Sequence, residues 1–200
     1  MSLTLLIAIL LFAFVATITP GPNNIMVTAS GANFGYVRTI PHLLGISIGF
    51  PIMLAAVGFG LGHIFQVYPI IHQVLKVVGA AYLLWLAWRI TTAKPASGNQ
   101  KGSSPLTFLQ AAAFQWVNPK AWIMAISAFS TYTTVGGNLW LEVTVITLVF
   151  AVIAYPCVSL WTLLGVGVSR ALNNDQYLRW FNYTMALLLV ASIVPIIYKV

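Results

Sequence analysis

Two short stretches put helix-breaking prolines and polar side chains inside apolar runs: "TPGPNN" at residues 19–24 and "QWVNPK" at residues 115–120. In the first, Pro20, Gly21 and Pro22 lead into Asn23 and Asn24; in the second, Gln115 comes just before Asn118, Pro119 and Lys120. A proline within a helix removes an amide donor and clashes with the preceding turn, at a cost of about 3 kcal/mol. Here each proline is followed by polar residues and then by an apolar run, the pattern of a half-helix with proline near its first position. The free amides at such a start, added to the helix dipole, attract an anionic group such as a carboxylate. Lys120 adds a formal positive charge. Near the centre of a membrane helix it costs about 2.5–3.5 kcal/mol on insertion scales, so it is expected to face the interior and pair with a solute carboxylate, the asparagines orienting the rest. The competing reading starts that helix later and lets Lys120 reach the interface along its apolar stem. Gln115 fits the site and a bond to a neighbouring helix equally well.

Membrane helices are what must hold these stretches. The chain of 200 residues is 60% hydrophobic and 6% charged, too few polar side chains to cover a water-soluble globule. Apolar runs of about 20 residues suit a hydrocarbon core roughly 30 Å thick. Six fit, at about 3–30, 41–62, 70–91, 105–132, 140–167 and 178–198, and the proline breaks fall inside the first and fourth. A break at that depth survives only where it is buried or lines a cavity.

The halves of the chain also resemble each other. Aligning Pro22 with Pro119 sets "PGPNNIMVTASGA" against "VNPKAWIMAISAF", "GFPIMLAAVGFG" against "AYPCVSLWTLLGVG", and "LKVVGAAYLLWLAW" against "LRWFNYTMALLLVA". Three spans per half is an odd number, so the second copy crosses in the opposite sense, as in many secondary transporters. The expected architecture is an all-α membrane protein of six transmembrane helices, two inverted three-helix repeats in one domain over 1–200, with helices 1 and 4 broken. Repeat 1 covers about 1–92 and repeat 2 about 105–200, joined by the polar linker "AKPASGNQKGSS" at 93–104. Inverted symmetry would bring the two breaks together near the middle of the bundle.

The net charge of +7 comes from nine cations scattered at segment ends, which form no patch for nucleic acid. Counted by loop, Arg38, Arg89, Lys94, Lys101, Arg170 and Arg179 fall on one side and Lys76 and Lys199 on the other, so the positive-inside rule places both termini on the periplasmic side. The first run lacks a basic leader and continues through the Pro-Gly-Pro site, and is read as a retained span rather than a signal peptide.

Other residues have plainer readings. Gly45 and Gly49, like Gly58 and Gly62, lie four apart, a spacing suited to close helix packing. His42 beside Pro41, and His63 and His72 around an outer loop, read as interfacial; none is spaced as a metal pair. Trp85, Trp88, Trp140, Trp161 and Trp180 read as interface anchors or packing. Glu142 and Asp175 lie at segment ends and are expected to be wet. Cys157 is the sole cysteine, which excludes an intramolecular disulfide and a redox carrier working through two thiols.

There is no Gly-rich phosphate loop followed by Lys and Ser or Thr, so any transport is secondary rather than ATP-driven. The spans carry no embedded carboxylate, which argues against a cationic cargo side chain and against a carboxylate proton relay. A small neutral or zwitterionic cargo fits. An aquaporin-like channel also joins Asn-Pro half-helices, but "GPNN" is not a matching partner for "VNPKAW".

Taken in order, "TPGPNN", "GISIGF", "GAAYLLWLAWRI" and "QWVNPKAW" resemble the LysE/RhtB family of bacterial amino-acid exporters along nearly the whole chain. The resemblance implies proton-driven efflux, across the bacterial inner membrane, of a small neutral amino acid or derivative such as cysteine or O-acetylserine. A homoserine-, threonine- or leucine-type cargo is the alternative within the family. By the same resemblance Pro20, Gly21, Pro22, Asn23 and Asn24, with Asn118, Pro119 and Lys120 in the second copy, fall on characteristic positions. The implied partners are an amino-acid cargo and membrane lipid, with no cofactor, no metal and no nucleic acid, and with a homodimer left open.

Overall fold

Apolar side chains face outward over much of the molecule. Leu3, Val77, Val152 and Leu187 are each about two-thirds exposed or more, whereas Asn24, Asn33, His42, Gln115, Thr162 and Asn182 are buried. Only an apolar solvent makes that distribution favourable, because lipid can cover the outside while the polar groups satisfy one another within. The computed structural model describes residues 2–61, 69–93, 104–134, 136–171 and 174–194. Among these, all regular structure is helical: α1 (Leu3–Ile18), α2 (Pro22–Ala56), α3 (Pro69–Thr91), α4 (Phe108–Phe114), α5 (Pro119–Tyr132), α6 (Leu139–Ala171) and α7 (Asp175–Ala191). A π-helical turn, Val57–Leu61, extends α2, and a 3-10 turn, Gln115–Val117, leads from α4 towards α5. Three described stretches are long and apolar enough to cross a membrane, Pro22–Gly60, Gln73–Thr91 and Leu139–Ala171, and Leu3–Ile18 is a shorter apolar helix.

Both breaks have local causes. Ser2 accepts from the Leu5 amide to start α1, and α1 stops at Thr19, whose extended backbone (φ −62°, ψ 143°) precedes Pro20. Pro22 then opens α2. In the second half, Thr107 and Gln110 form a reciprocal capping box at the start of α4, and Asn118 turns extended before Pro119 opens α5.

The segment expected as a loop between 30 and 41 is helical except at one residue. Gly35 takes φ 76°, a left-handed conformation that only glycine adopts cheaply, and α2 bends there within a single residue. Nothing lies within 4 Å of where a Cβ would stand on Gly35, so backbone conformation rather than crowding calls for glycine. The apolar window from 41 to 62 thus starts late, since the helix has already resumed after Gly35.

The longest contact runs between α2 and α6. Their backbones approach closely: a Cβ on Gly31 would collide with the Thr162 carbonyl, and one on Gly165 with the Thr28 carbonyl. Gly45 and Gly49 make a second seam, where an added Cβ would meet the Phe108 carbonyl and, at 2.6 Å, the Ala112 Cα. Gly58 packs beneath Phe129; Gly62 lies outside the described residues, as do residues 94–103 of the linker, His63, the side chains of His72, Lys76 and Asp175, and Lys199. Contacts are exchanged between the halves, with α1 against α6, α4 against α2, and α3 against α7. Two separate apolar cores result, one around Leu43, Leu83, Phe114 and Leu189 and the other around Ile9, Phe50, Ala125 and Phe150.

Glu142 corrects the expectation of a wet carboxylate: it is 7% exposed. It sits in the first turn of α6 and accepts from the Thr134 amide at 3.1 Å, so the helix dipole and a backbone donor compensate its burial. Trp85, Trp88, Trp140 and Trp180 are exposed at the apolar surface, while Trp161 is packed inward.

Candidate functional site

The end of α1 exposes carbonyls that lack partners within their own helix. Thr19 itself serves the Val15 and Ala16 carbonyls, and those of Thr17, Ile18 and Thr19 receive donors from other elements. Asn24 donates its amide to the Thr17 and Thr19 carbonyls at 3.0 and 2.7 Å, and the Trp161 indole donates to the Ile18 carbonyl at 2.9 Å. Lys120 crosses from the second half, its Nζ donating to the Thr19 carbonyl at 2.5 Å, the Thr19 hydroxyl at 2.9 Å and the Pro20 carbonyl at 3.4 Å. A cation at a helix C-terminus is also favoured by the dipole. Gly21 leaves room for that reach: a Cβ on it would lie 2.6 Å from the Lys120 Cδ. Its backbone is fully extended, so close approach rather than φ explains the glycine.

At the second break Asn118 caps α5 by accepting from the Lys120 amide at 3.1 Å. Gln115, fully buried, donates to the Ala111 carbonyl at 2.9 Å and exchanges a reciprocal amide pair with Asn23, at 2.8 and 3.1 Å. The two breaks, about a hundred residues apart in sequence, are therefore tied together twice, by Asn23–Gln115 and by Lys120–Thr19. The start of α2 differs from that of α5 in having no side-chain cap.

Between the ties lies a chamber of about 30 Å³, room for one or two waters. Gly21, Asn23, Asn24, Gln115, Asn118 and Lys120 line it with Thr17, and Ile46, Phe50, Met124 and Val158 close it with side chains from or against the two apolar cores. Pro20 is exposed beside the break, while Pro22 is buried at the start of α2 and Pro119 half-buried at the start of α5. Thr17, Thr19 and Trp161 belong to this constellation and escape a reading of the sequence. A threonine just before the first proline is a weak cue for the first two, and nothing local marks Trp161. The Thr17 hydroxyl is buried there without a partner among the described residues.

A larger cavity, of about 260 Å³, opens at the arginine-bearing end. Met26, Ser30 and Asn33 of α2 line it, with His42, Trp85 and Arg89. His42 overturns its interfacial reading: it is 2% exposed, because the bend at Gly35 folds the second part of α2 back over the first and carries His42 inside. Among the described residues no group of three or more His, Cys, Asp or Glu side chains gathers where a metal could be held.

Comparison with known proteins gives the chain a family. The family profile described as LysE type translocator matches residues 14–199. The chain is 34% identical over 200 residues to the cysteine/O-acetylserine efflux protein of Salmonella choleraesuis (strain SC-B67), covering 97% of this chain and 98% of the relative. It is 33% identical over 201 residues to the protein of the same name from Escherichia coli (strain K12), covering 99% and 100%. No solved structure matches the chain. With a profile covering nearly the whole length and full-length relatives at a third identity, the chain belongs to the LysE family of translocators, and is a membrane transporter rather than an enzyme.

Proposed function

We propose that the chain is a secondary transporter exporting a small neutral amino acid or derivative, of the cysteine or O-acetylserine kind, from the bacterial cytoplasm and coupled to the proton gradient. Its six spans form two inverted three-helix repeats in the inner membrane, with both termini periplasmic. The exchanged contacts of the two halves support the repeat, and the names of the full-length relatives support the cargo.

The observation that carries the mechanism is the double tie between the breaks. A chamber of about 30 Å³ is too small for an amino acid, so the ties describe a closed form. A cargo carboxylate entering between the uncapped start of α2 and Lys120 competes with the Thr19 and Pro20 carbonyls for the same ammonium. An ionised acceptor outbids a neutral carbonyl. Cargo binding thus releases one tie, while Asn23 and Gln115 exchange their mutual bonds for bonds to the cargo, and the two halves become free to move around the site.

Counterflow in proteoliposomes, with a panel of labelled amino acids and with or without a pH gradient, tests this reading. Saturable exchange of cysteine, O-acetylserine or another small neutral amino acid, accelerated by the gradient, is the expected result. Exchange indifferent to the gradient removes proton coupling, and unsaturable flux with rapid swelling replaces the carrier by a channel.

A further inference from the structure

The arginine-end cavity contains a polar side chain that the closed chamber does not use. Both ring nitrogens of His42 are buried with no hydrogen-bond partner among the described residues. Leaving such groups unpaired costs about 1–3 kcal/mol each, so an imidazole in the wall of a cavity, its nitrogens turned away from the open space, gains a partner if the ring turns to meet a ligand. The other polar walls are already committed. The Ser30 hydroxyl pairs with Thr39 at 2.9 Å, and Asn33 exchanges amide bonds with Asn182 at 2.7 and 2.9 Å. Arg89 has capacity to spare among the described residues: there it gives one bond, to the Ser104 carbonyl at 2.7 Å, out of five donors, and lies over the Trp85 ring.

Position adds to the argument. Met26 lines this cavity and Asn23, three residues earlier on α2, lines the chamber; His42 lines the cavity and Ile46, four residues later, lines the chamber. Two walls therefore run from one space to the other within a single helical turn, roughly 5 Å. With about 260 Å³ the outer space approaches the lower end of small-ligand pockets, about 300 Å³.

We propose that this cavity is a second solute site, a vestibule that receives the zwitterionic cargo before it reaches the chamber. Arg89 holds the cargo carboxylate, and the His42 ring turns towards the cavity to accept a hydrogen bond from the cargo ammonium. The proposal rests on the export reading for its cargo and for the side on which the cavity opens.

The test uses the full-length protein in proteoliposomes, with O-acetyl-L-serine as probe. His42→Leu and Arg89→Gln are each expected to raise the counterflow KM about tenfold or more, and His42→Asn, which restores an acceptor, to stay within about threefold of wild type. O-acetylserine should also slow thiol labelling of Ala93→Cys, at the cavity wall, in a Cys157→Ser background. Folded His42→Leu with an unchanged KM, or labelling of Ala93→Cys that cargo does not slow, overturns the vestibule while leaving export standing. If His42→Leu does not insert, Arg89→Gln and the labelling decide the matter alone. A wild-type protein that exchanges no amino acid at all overturns the export reading, and the vestibule with it.

Discussion

Lys120 sits where two demands meet. As a structural group it closes the end of α1, and hydrogen bonds from a charged donor are worth about 1.5–3 kcal/mol each when they form inside a protein. In the binding role proposed for it, it has to let go of those carbonyls each time cargo arrives. Lys120→Gln keeps some of the length and a donor but removes the charge, so it is expected to lower thermal stability modestly and to reduce counterflow at least tenfold. Transport at the wild-type rate would exclude the exchange of ties. Asn23 and Gln115 provide a second test at this scale. Because each is the other's partner, Asn23→Ala and Gln115→Ala should be non-additive, with a coupling of about 1 kcal/mol in a double-mutant cycle of unfolding. Additive losses would mean the pair contributes nothing to the closed form.

At the scale of elements, glycine decides how near α2 and α6 come. Gly165 and Gly167 lie on the same helix, two residues apart, but only Gly165 faces the Thr28 carbonyl; nothing lies within 4 Å of a Cβ on Gly167. Gly165→Ala should therefore force the two longest helices apart, moving Gly31 from Thr162 and cutting the yield of folded protein sharply. Gly167→Ala should be neutral or stabilising, by up to about 1 kcal/mol, since alanine is the better helix former. Equal behaviour of the two variants, in thermal unfolding of purified protein, would show that the crossing is not held by backbone contact. This seam also marks what can be read from a single chain. Gly45 and Gly49 announce their packing through a four-residue spacing, and Pro22 and Pro119 announce the helix starts, because both signals are local. Gly31 lies four residues from Gly35 and Gly165 two from Gly167, yet neither neighbour is packed against anything, so spacing does not single out the two glycines that touch, and their partner surfaces are set only by how the helices cross. The burial of His42 is hidden for a related reason: it depends on a one-residue bend at Gly35, and nothing in "SGANFGYVRTIPH" separates such a bend from an ordinary loop.

For the whole molecule, the arrangement of cations predicts an orientation. Arg89 lines the larger cavity and bonds Ser104 in the same wall, Arg38 lies over the Phe34 ring, which lines it too, and Arg170 ends α6, so at least the first two charges stand at the end that holds this cavity. Moving several arginines through hydrocarbon costs far more than leaving them on the side of synthesis, at about 2.5–3.5 kcal/mol for each at mid-membrane. That end should then face the cytoplasm, where an exporter has to collect its cargo, and Ser2 at the start of α1 should face the periplasm. In a Cys157→Ser background, a membrane-impermeant maleimide should label Ser2→Cys in spheroplasts and label Ala171→Cys, at the end of α6, only after permeabilisation. The reverse pattern would turn the cavity outward. Arg89 and His42 would then meet cargo as it leaves, and the path would run from the chamber to the cavity.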